Sequence, residues 1–175
     1  MNSLVIYATT SGNTQSIAQA IAEVLRRHGS VEVMTADQAP ANLPEADLVF
    51  IGGPTERHTL TEPIDRFFDR LSPGSLRGTA AVAFDTRLRW PRLLSGSAAD
   101  EIAKRLRAAG AHLAARPESF MVSMEPKLEP GEISRAAAWA TNVAEAVEPS
   151  TAAGATLSPG NELRPHTGGP NSWGG

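Results

Sequence analysis

The chain has 175 residues, of which 41% are hydrophobic, and this is enough for one folded domain with a full core. It contains no cysteine, which excludes disulfides, cysteine-ligated metal sites and a thiol nucleophile, so any redox chemistry needs a bound cofactor. The formal net charge of -3 does not indicate nucleic-acid binding, and no apolar run approaches the roughly 18 to 20 residues of a membrane span.

Short apolar runs and helical periodicities alternate along the chain. In chain order they predict a strand at 4–8, a helix at 14–27, strands at 31–34 and 47–52, a helix at 61–71, a strand at 79–85, a helix at 97–109, a fifth strand in two pieces at 111–115 and 120–123, and a helix at 132–147. Pro117 lies at the interruption of the fifth strand. This alternation predicts an α/β fold in which helices cover both faces of a five-stranded parallel sheet.

Three details of the helices are specific enough to be checked. Ser97, with Asp100 three residues later, resembles a capping box at the start of the third helix. Trp139 lies at helical spacing in the last helix, which favours a place in the core over a place in a site. The same spacing predicts an inward-facing stripe at Ile133, Ala136, Ala140, Val143 and Val147.

The two ends of the chain have different characters. Residues 149–175 are rich in Gly, Pro, Ser, Thr and Asn, which predicts a disordered tail behind one domain at residues 1–148. Trp173 in that tail is a candidate anchor for a protein partner, and an unselected solvated terminus is the alternative. The N-terminus enters a strand without a basic region or a cleavage site, so we expect no signal peptide and a cytoplasmic location.

Three unusual loops follow the first, third and fourth strands, at residues 9–14, 52–60 and 85–96. In an open α/β sheet of order 2-1-3-4-5, ligands bind beyond the carboxyl ends of the strands, where the direction of winding reverses. The loops after strands 1, 3 and 4 surround that crevice. The sequence therefore predicts a ligand site there.

The first of these loops has the composition of a phosphate-binding loop. It consists of Thr9, Thr10, Ser11, Gly12, Asn13 and Thr14, with hydroxyls, a glycine that permits a sharp turn, and the start of a helix. It has no Lys or Arg, and it matches neither the Walker pattern nor Gly-x-Gly-x-x-Gly. The alternative is a Ser/Thr-rich turn that only caps the helix.

The loop resembles the motif Thr/Ser-x-Thr-Gly-x-Thr that flavodoxins place around the phosphate of FMN after their first strand. Here the matching residues are Thr9-x-Ser11-Gly12-Asn13-Thr14, with Ser in place of the middle Thr. By element order the resemblance extends over residues 3–147 and is to the short-chain form. It implies a flavodoxin-like three-layer α/β/α fold, FMN as the cofactor and a phosphate contact at this loop.

The resemblance also implies that the second and third loops flank the flavin ring, where flavodoxins usually carry stacking aromatic residues. The second loop has no Trp or Tyr, and its candidate cofactor contacts are Pro54, Thr55, Arg57 and His58. In the third loop the candidates are Asp85, Thr86, Arg87 and Trp90. For Arg57 the alternative is a solvated charged loop, and for Trp90 it is packing beneath the loop.

Charges in the third loop bear on the reduction potential. Reduction adds negative charge to the flavin ring, so Arg87 and Arg89 would raise the potential and Asp85 would oppose them. We therefore expect a less reducing flavin than is typical of the family.

The resemblance favours an electron carrier that shuttles electrons between redox protein partners and has no catalytic residue. The first alternative is a flavin-dependent oxidoreductase of the same fold that reduces a quinone or another small acceptor. The second is a flavin-free interaction module. No His, Asp or Glu spacing suggests a metal site, and neither a membrane nor a nucleic-acid partner is expected.

Overall fold

The computed structural model describes residues 1–55, 60–89 and 96–148. The strands are β1 (Asn2–Tyr7), β2 (Ser30–Thr35), β3 (Leu48–Pro54), β4 (Ala80–Leu88), β5 (His112–Leu113) and β6 (Glu118–Val122). The helices are α1 (Asn13–Leu25), α2 (Glu62–Arg70), α3 (Ala98–Ala108) and α4 (Glu132–Val147). Every predicted strand and helix is confirmed, with ends shifted by at most three residues. The predicted tail at residues 149–175 lies outside the described part of the chain.

The sheet is parallel, and its strands lie in the order β2-β1-β3-β4 with β5 and β6 together on the outer edge of β4. Ala80 pairs with His112 of β5, and Phe84 pairs with Glu118 of β6, so the fifth position is filled by one strand in two pieces. The predicted order 2-1-3-4-5 and the predicted interruption of the fifth strand are confirmed. The interruption spans Pro117, which cannot donate a ladder hydrogen bond.

Helices cover both faces of the sheet, and each face buries its own apolar core. The core under α2 and α3 contains Ile64 and Ile102, together with Ala81 and Ala83 of β4. The core under α1 and α4 is built around Ile17, Ala140, Val82 and Phe84, among others. Because successive strand residues point to opposite faces, neighbouring side chains at the end of β4 contact different helices. This alternation positions the functional site described below.

Trp139 of α4 is partly buried and packs against the second of these cores, as predicted. Its ring packs edge-to-face against Phe50 at 5.4 Å, Phe120 at 5.9 Å and Phe84 at 6.4 Å between ring centroids. The ring of Phe84 also covers Gly52, where an added Cβ would lie 2.2 Å from the ring. The neighbouring strand therefore needs a glycine at that position.

Two predictions need correction. Ile133 is 44% exposed, and the buried apolar residues of α4 begin only at Ala136. Strand β4 continues to Leu88 instead of ending at Asp85, because residues 86–88 pair with Phe120–Val122 of β6. Thr86 and Arg87, which were expected in a loop, are therefore buried strand residues.

Candidate functional site

The candidate site lies at the carboxyl ends of β1, β3 and β4. Tyr7 pairs with Gly52 at the end of β1, and the N–H of Ala8 continues the ladder to the carbonyl of Gly52 at 2.9 Å. From β1 the chain turns to α1 on one face, and from β3 it turns to α2 on the other. The winding direction reverses between these two strands, which is where α/β sheets bind ligands.

The loop from β1 to α1 is a tight turn around Gly12, whose φ of 83° is in the left-handed region. The N–H of Gly12 donates to Thr9 Oγ1 at 2.9 Å, and the side-chain amide of Asn13 donates to Ser11 Oγ at 2.9 Å. Each of these two hydroxyls accepts a hydrogen bond and keeps its own hydrogen for donation. The loop therefore offers hydroxyl donors beside the start of α1.

The amino end of α1 is built to receive an anion. Its first helical hydrogen bond runs from the N–H of Ser16 to the carbonyl of Gly12 at 3.0 Å, and Gly12 supplies no side-chain cap. Among the described residues, the N–H groups of Asn13, Thr14 and Gln15 have no acceptor. A Cβ on Gly12 would meet none of the described residues within 4 Å, so there is space beside Gly12 at this helix end. Such a helix end favours a phosphate group.

The hydroxyl of Thr14 lies beneath this loop. Thr14 is 1% exposed, and its Oγ1 lies 2.8 Å from Oγ1 of Thr86, which is also buried. Either hydroxyl can be the donor in this pair. The contact joins the first loop to the end of β4, and the predicted contacts of Thr14 and Thr86 with a cofactor stay predictions.

The two other loops are joined at the end of β4. The N–H of Thr55 donates to the carbonyl of Thr86 at 2.9 Å, and its hydroxyl donates to Asp85 Oδ2 at 2.9 Å. Pro54, the last residue of β3, is half-buried beside them. The remaining sequence candidates, Arg57, His58 and Trp90, lie outside the described residues, and their roles stay predictions.

The segment after β6 contacts both the first and the third loop, and sequence reasoning missed it. The side-chain amide of Asn13 donates to the carbonyl of Pro126 at 2.9 Å. The guanidinium of Arg89 forms an ion pair with Glu129, which raises the pKa of Arg89 by hydrogen bonding and by charge. Arg87, in contrast, is buried within the sheet. The charge of Arg89 is thus offset by a carboxylate 40 residues away in the sequence, which no local pattern reveals.

A partly buried ion pair fixes that segment to the rest of the domain. Glu132, at the start of α4, accepts hydrogen bonds from the N–H of Met121 at 2.7 Å and from Arg135 at 2.6 Å. Arg135 also pairs with Glu118 and lies over the ring of Phe120, 4.6 Å from its centroid. Burial by itself would raise the pKa of Glu132, but the hydrogen bonds and the charge of Arg135 outweigh it and lower that pKa.

Among residues 1–55, 60–89 and 96–148, no cluster of three or more His, Asp or Glu side chains could hold a metal ion. Within the same residues, no helix is both long and apolar enough to span a membrane.

Comparison with known proteins shows that part of the chain is similar in sequence to flavodoxins. The family model for flavodoxin matches residues 5–85. A flavodoxin from Clostridium saccharobutylicum is 27% identical over 85 residues, which make up 47% of this chain and 53% of that protein. The chain thus matches about half the length of this relative.

Solved structures with the same fold cover most of the chain. Oxidised Flavodoxin 1 from Bacillus cereus superimposes with a TM-score of 0.70 at 22% identity, over 83% of this chain and 98% of that one. The rubredoxin:oxygen oxidoreductase of Desulfovibrio gigas gives a TM-score of 0.70 at 18% identity, over 83% of this chain but only 36% of that one. The chain is thus similar to flavodoxins in sequence over residues 5–85, and its described residues have the flavodoxin-like α/β fold.

Proposed function

We propose that this protein binds FMN non-covalently and carries electrons between redox protein partners. The observation that carries the proposal is the amino end of α1, where the N–H groups of Asn13, Thr14 and Gln15 have no acceptor among the described residues. The resemblance of residues 9–14 to the phosphate motif of flavodoxins supports the same choice of ligand. FMN, when bound, supplies the one- and two-electron chemistry that a chain without cysteine lacks.

The residues present fit the phosphate end of such a cofactor. Backbone N–H groups at a helix end and the hydroxyls of Thr9 and Ser11 are donors, and a phosphate is an acceptor with negative charge. No Lys or Arg lies in residues 9–14, so the helix dipole and these donors provide the attraction. Affinity for the phosphate should therefore depend on the backbone conformation at Gly12.

The ring end would be formed by the connections after β3 and β4, as in the sequence-based prediction. The described residues contribute Pro54, Thr55 and Asp85, which hold the two connections together. The compensation of Arg89 by Glu129 removes one of the two charges on which the expectation of a less reducing flavin depends. That expectation now depends on whether the positive charge of Arg87 raises the potential more than the negative charge of Asp85 lowers it. Both residues are buried in β4.

The first experiment is the extraction and identification of flavin. The purified protein is denatured, and the released chromophore is identified by mass and by chromatography against FMN, FAD and riboflavin. Stoichiometric binding of FMN, either as purified or after titration of the apoprotein, is the expected result. A protein that binds none of the three flavins would refute the proposal and favour a flavin-free interaction module.

The second experiment separates an electron carrier from an oxidoreductase. The oxidoreductase with this fold named above is a much longer chain, of which this one covers 36%. We expect the FMN-loaded protein to accept electrons only when a separate reductase is present. Consumption of NAD(P)H with a quinone or another small acceptor, without an added reductase, would favour an enzyme.

A further inference from the structure

A buried carboxylate joins two of the three loops at the site. Asp85 of β4 is 0% exposed, and its Oδ2 accepts hydrogen bonds from Thr55 Oγ1 at 2.9 Å, Ser97 Oγ at 2.8 Å and the N–H of Ala99 at 3.0 Å. Thr55 follows β3 and Ser97 precedes α3, so the carboxylate connects the ends of two separate loops. We call Asp85, Thr55 and Ser97 the Asp85 clasp.

The two hydroxyls of the clasp are held from both sides. Thr55 Oγ1 accepts from the N–H of Ala98 at 2.9 Å, and Ser97 Oγ accepts from the N–H of Asp100 at 3.3 Å. Each hydroxyl therefore gives its one hydrogen to Asp85 and receives one from the first turn of α3. The clasp caps α3 and leaves neither hydroxyl free to rotate.

The charge of Asp85 has no cationic partner among the described residues. Its Oδ2 is held by hydroxyl and backbone donors at the amino end of α3, and its Oδ1 is buried without a hydrogen-bond partner in the described structure. Dipoles stabilise such a charge without cancelling it. In a medium of low dielectric constant, its field acts on neighbouring groups more strongly than it would in water.

Strand alternation places the clasp away from the phosphate loop. Asp85 points to the α3 face of the sheet, whereas Thr86 points to the α1 face and contacts Thr14. A change at Asp85 should therefore act on the two connections expected at the flavin ring and leave the end of α1 intact. This difference gives the clasp a measurable signature.

We propose that Asp85 is a positioning residue for the ring end of the site and lowers the reduction potential of the bound flavin. The inference rests on the proposed function, because it concerns FMN at these loops. Through Thr55 and Ser97 the carboxylate fixes the spacing of the β3 and β4 connections. Its uncancelled charge opposes the addition of negative charge to the ring.

The test uses Asp85→Asn, which keeps the shape of the side chain and removes its charge. Asp47→Asn is the matched control, because Asp47 also accepts a backbone N–H, from Asn2 at 2.7 Å, but is exposed at the amino ends of the strands, opposite the site. Dissociation constants for FMN and riboflavin are measured by quenching of flavin fluorescence. The midpoint potential of bound FMN is measured by anaerobic titration.

We expect Asp85→Asn to raise the dissociation constants for FMN and for riboflavin by the same factor, about tenfold. This factor corresponds to the loss of one charge-assisted hydrogen bond. The equal loss follows because riboflavin lacks only the phosphate. The midpoint potential should rise in Asp85→Asn. Ser97→Ala keeps the charge of Asp85 and removes one hydrogen bond of the clasp. It should therefore weaken the binding of both ligands without raising the midpoint potential. Asp47→Asn should have the same two dissociation constants and the same midpoint potential as the parent.

Parent-like affinities and an unchanged potential in Asp85→Asn would overturn the inference, as would a loss of affinity confined to FMN. If Asp85→Asn does not fold, Ser97→Ala decides: an equal loss for both ligands supports the clasp, and unchanged affinities overturn it. A parent protein that binds no flavin would refute the proposed function, and the clasp inference with it. A parent that binds FMN, with variants that behave like it, would refute the clasp alone.

Discussion

The substitution Gly12→Asp tests the anion site at the amino end of α1. Gly12 has φ 83° and ψ -9°, and an added Cβ would meet nothing within 4 Å. The left-handed backbone costs a side chain roughly 1–2 kcal/mol, and the attraction of a carboxylate to the helix dipole offsets about 0.3–1 kcal/mol of this. The free energy of unfolding should therefore fall by only about 1 kcal/mol.

The effect on FMN affinity should be much larger. Two unit charges about 4 Å apart repel by about 4 kcal/mol at an effective dielectric constant of about 20. The new carboxylate also competes for the same N–H groups as the phosphate. We expect the dissociation constant for FMN to rise by about 100-fold or more. Riboflavin has no phosphate, so its affinity should change by only about twofold, which is our estimate for the backbone strain alone.

Gly131→Asp is the matched control for this experiment. Gly131 precedes α4 as Gly12 precedes α1, with φ 88° and ψ -11° and nothing within 4 Å of an added Cβ. It should reproduce the small loss of stability and retain FMN. Titration of the three apoproteins with FMN and riboflavin, followed by flavin fluorescence, gives both constants. FMN affinity in Gly12→Asp within about threefold of the parent would show that the phosphate does not lie at α1.

Three further predictions concern the stability of the domain. The lowered pKa of Glu132 means that its pairing with Arg135 stabilises the fold above the ordinary pKa of 4.5 and is lost as the pH falls through the lower folded value. Urea unfolding at pH 7 and pH 3 should therefore show a smaller acid loss for Glu132→Gln than for the parent. Trp139→Ala should cost about 3–5 kcal/mol in thermal or urea unfolding, because it empties the space between three phenylalanine rings. Thr14→Val and Thr86→Val should each lower the free energy of unfolding by about 1–3 kcal/mol, because each leaves a buried hydroxyl unpaired. In a double-mutant cycle, the double variant should lose less than the sum of the two single losses. Additive losses would contradict the pairing.

The order of strands and helices was predictable from the sequence because it depends on local patterns. Apolar runs bounded by Gly and Pro marked the strands, and helical spacing marked α1 to α4. The cap at Ser97 was also recognisable, since its partner Asp100 is three residues away. The position of the site followed from a general rule about parallel sheets once the strands were placed.

The partners of the polar side chains at the site were not predictable in this way. Asp85 was read as a residue facing the cofactor, yet its carboxylate is buried and binds Thr55 and Ser97. Arg89 was expected to raise the reduction potential of the flavin, yet Glu129 pairs with it. The end of β4 was placed too early, because the pairing that extends it comes from β6, more than 30 residues later.

The sequence by itself determined the type and order of the elements and the loop that begins α1, because spacing, capping and turn chemistry act within a few residues of each other. Only the tertiary structure decided which hydroxyls of the site are hydrogen-bonded to each other and which can still donate to a ligand. Thr14 of α1 is paired with Thr86 of β4, whereas Thr9 and Ser11 keep a hydrogen to donate. The physical reason is that a buried polar group must be hydrogen-bonded, and folding brings its partners from distant parts of the chain.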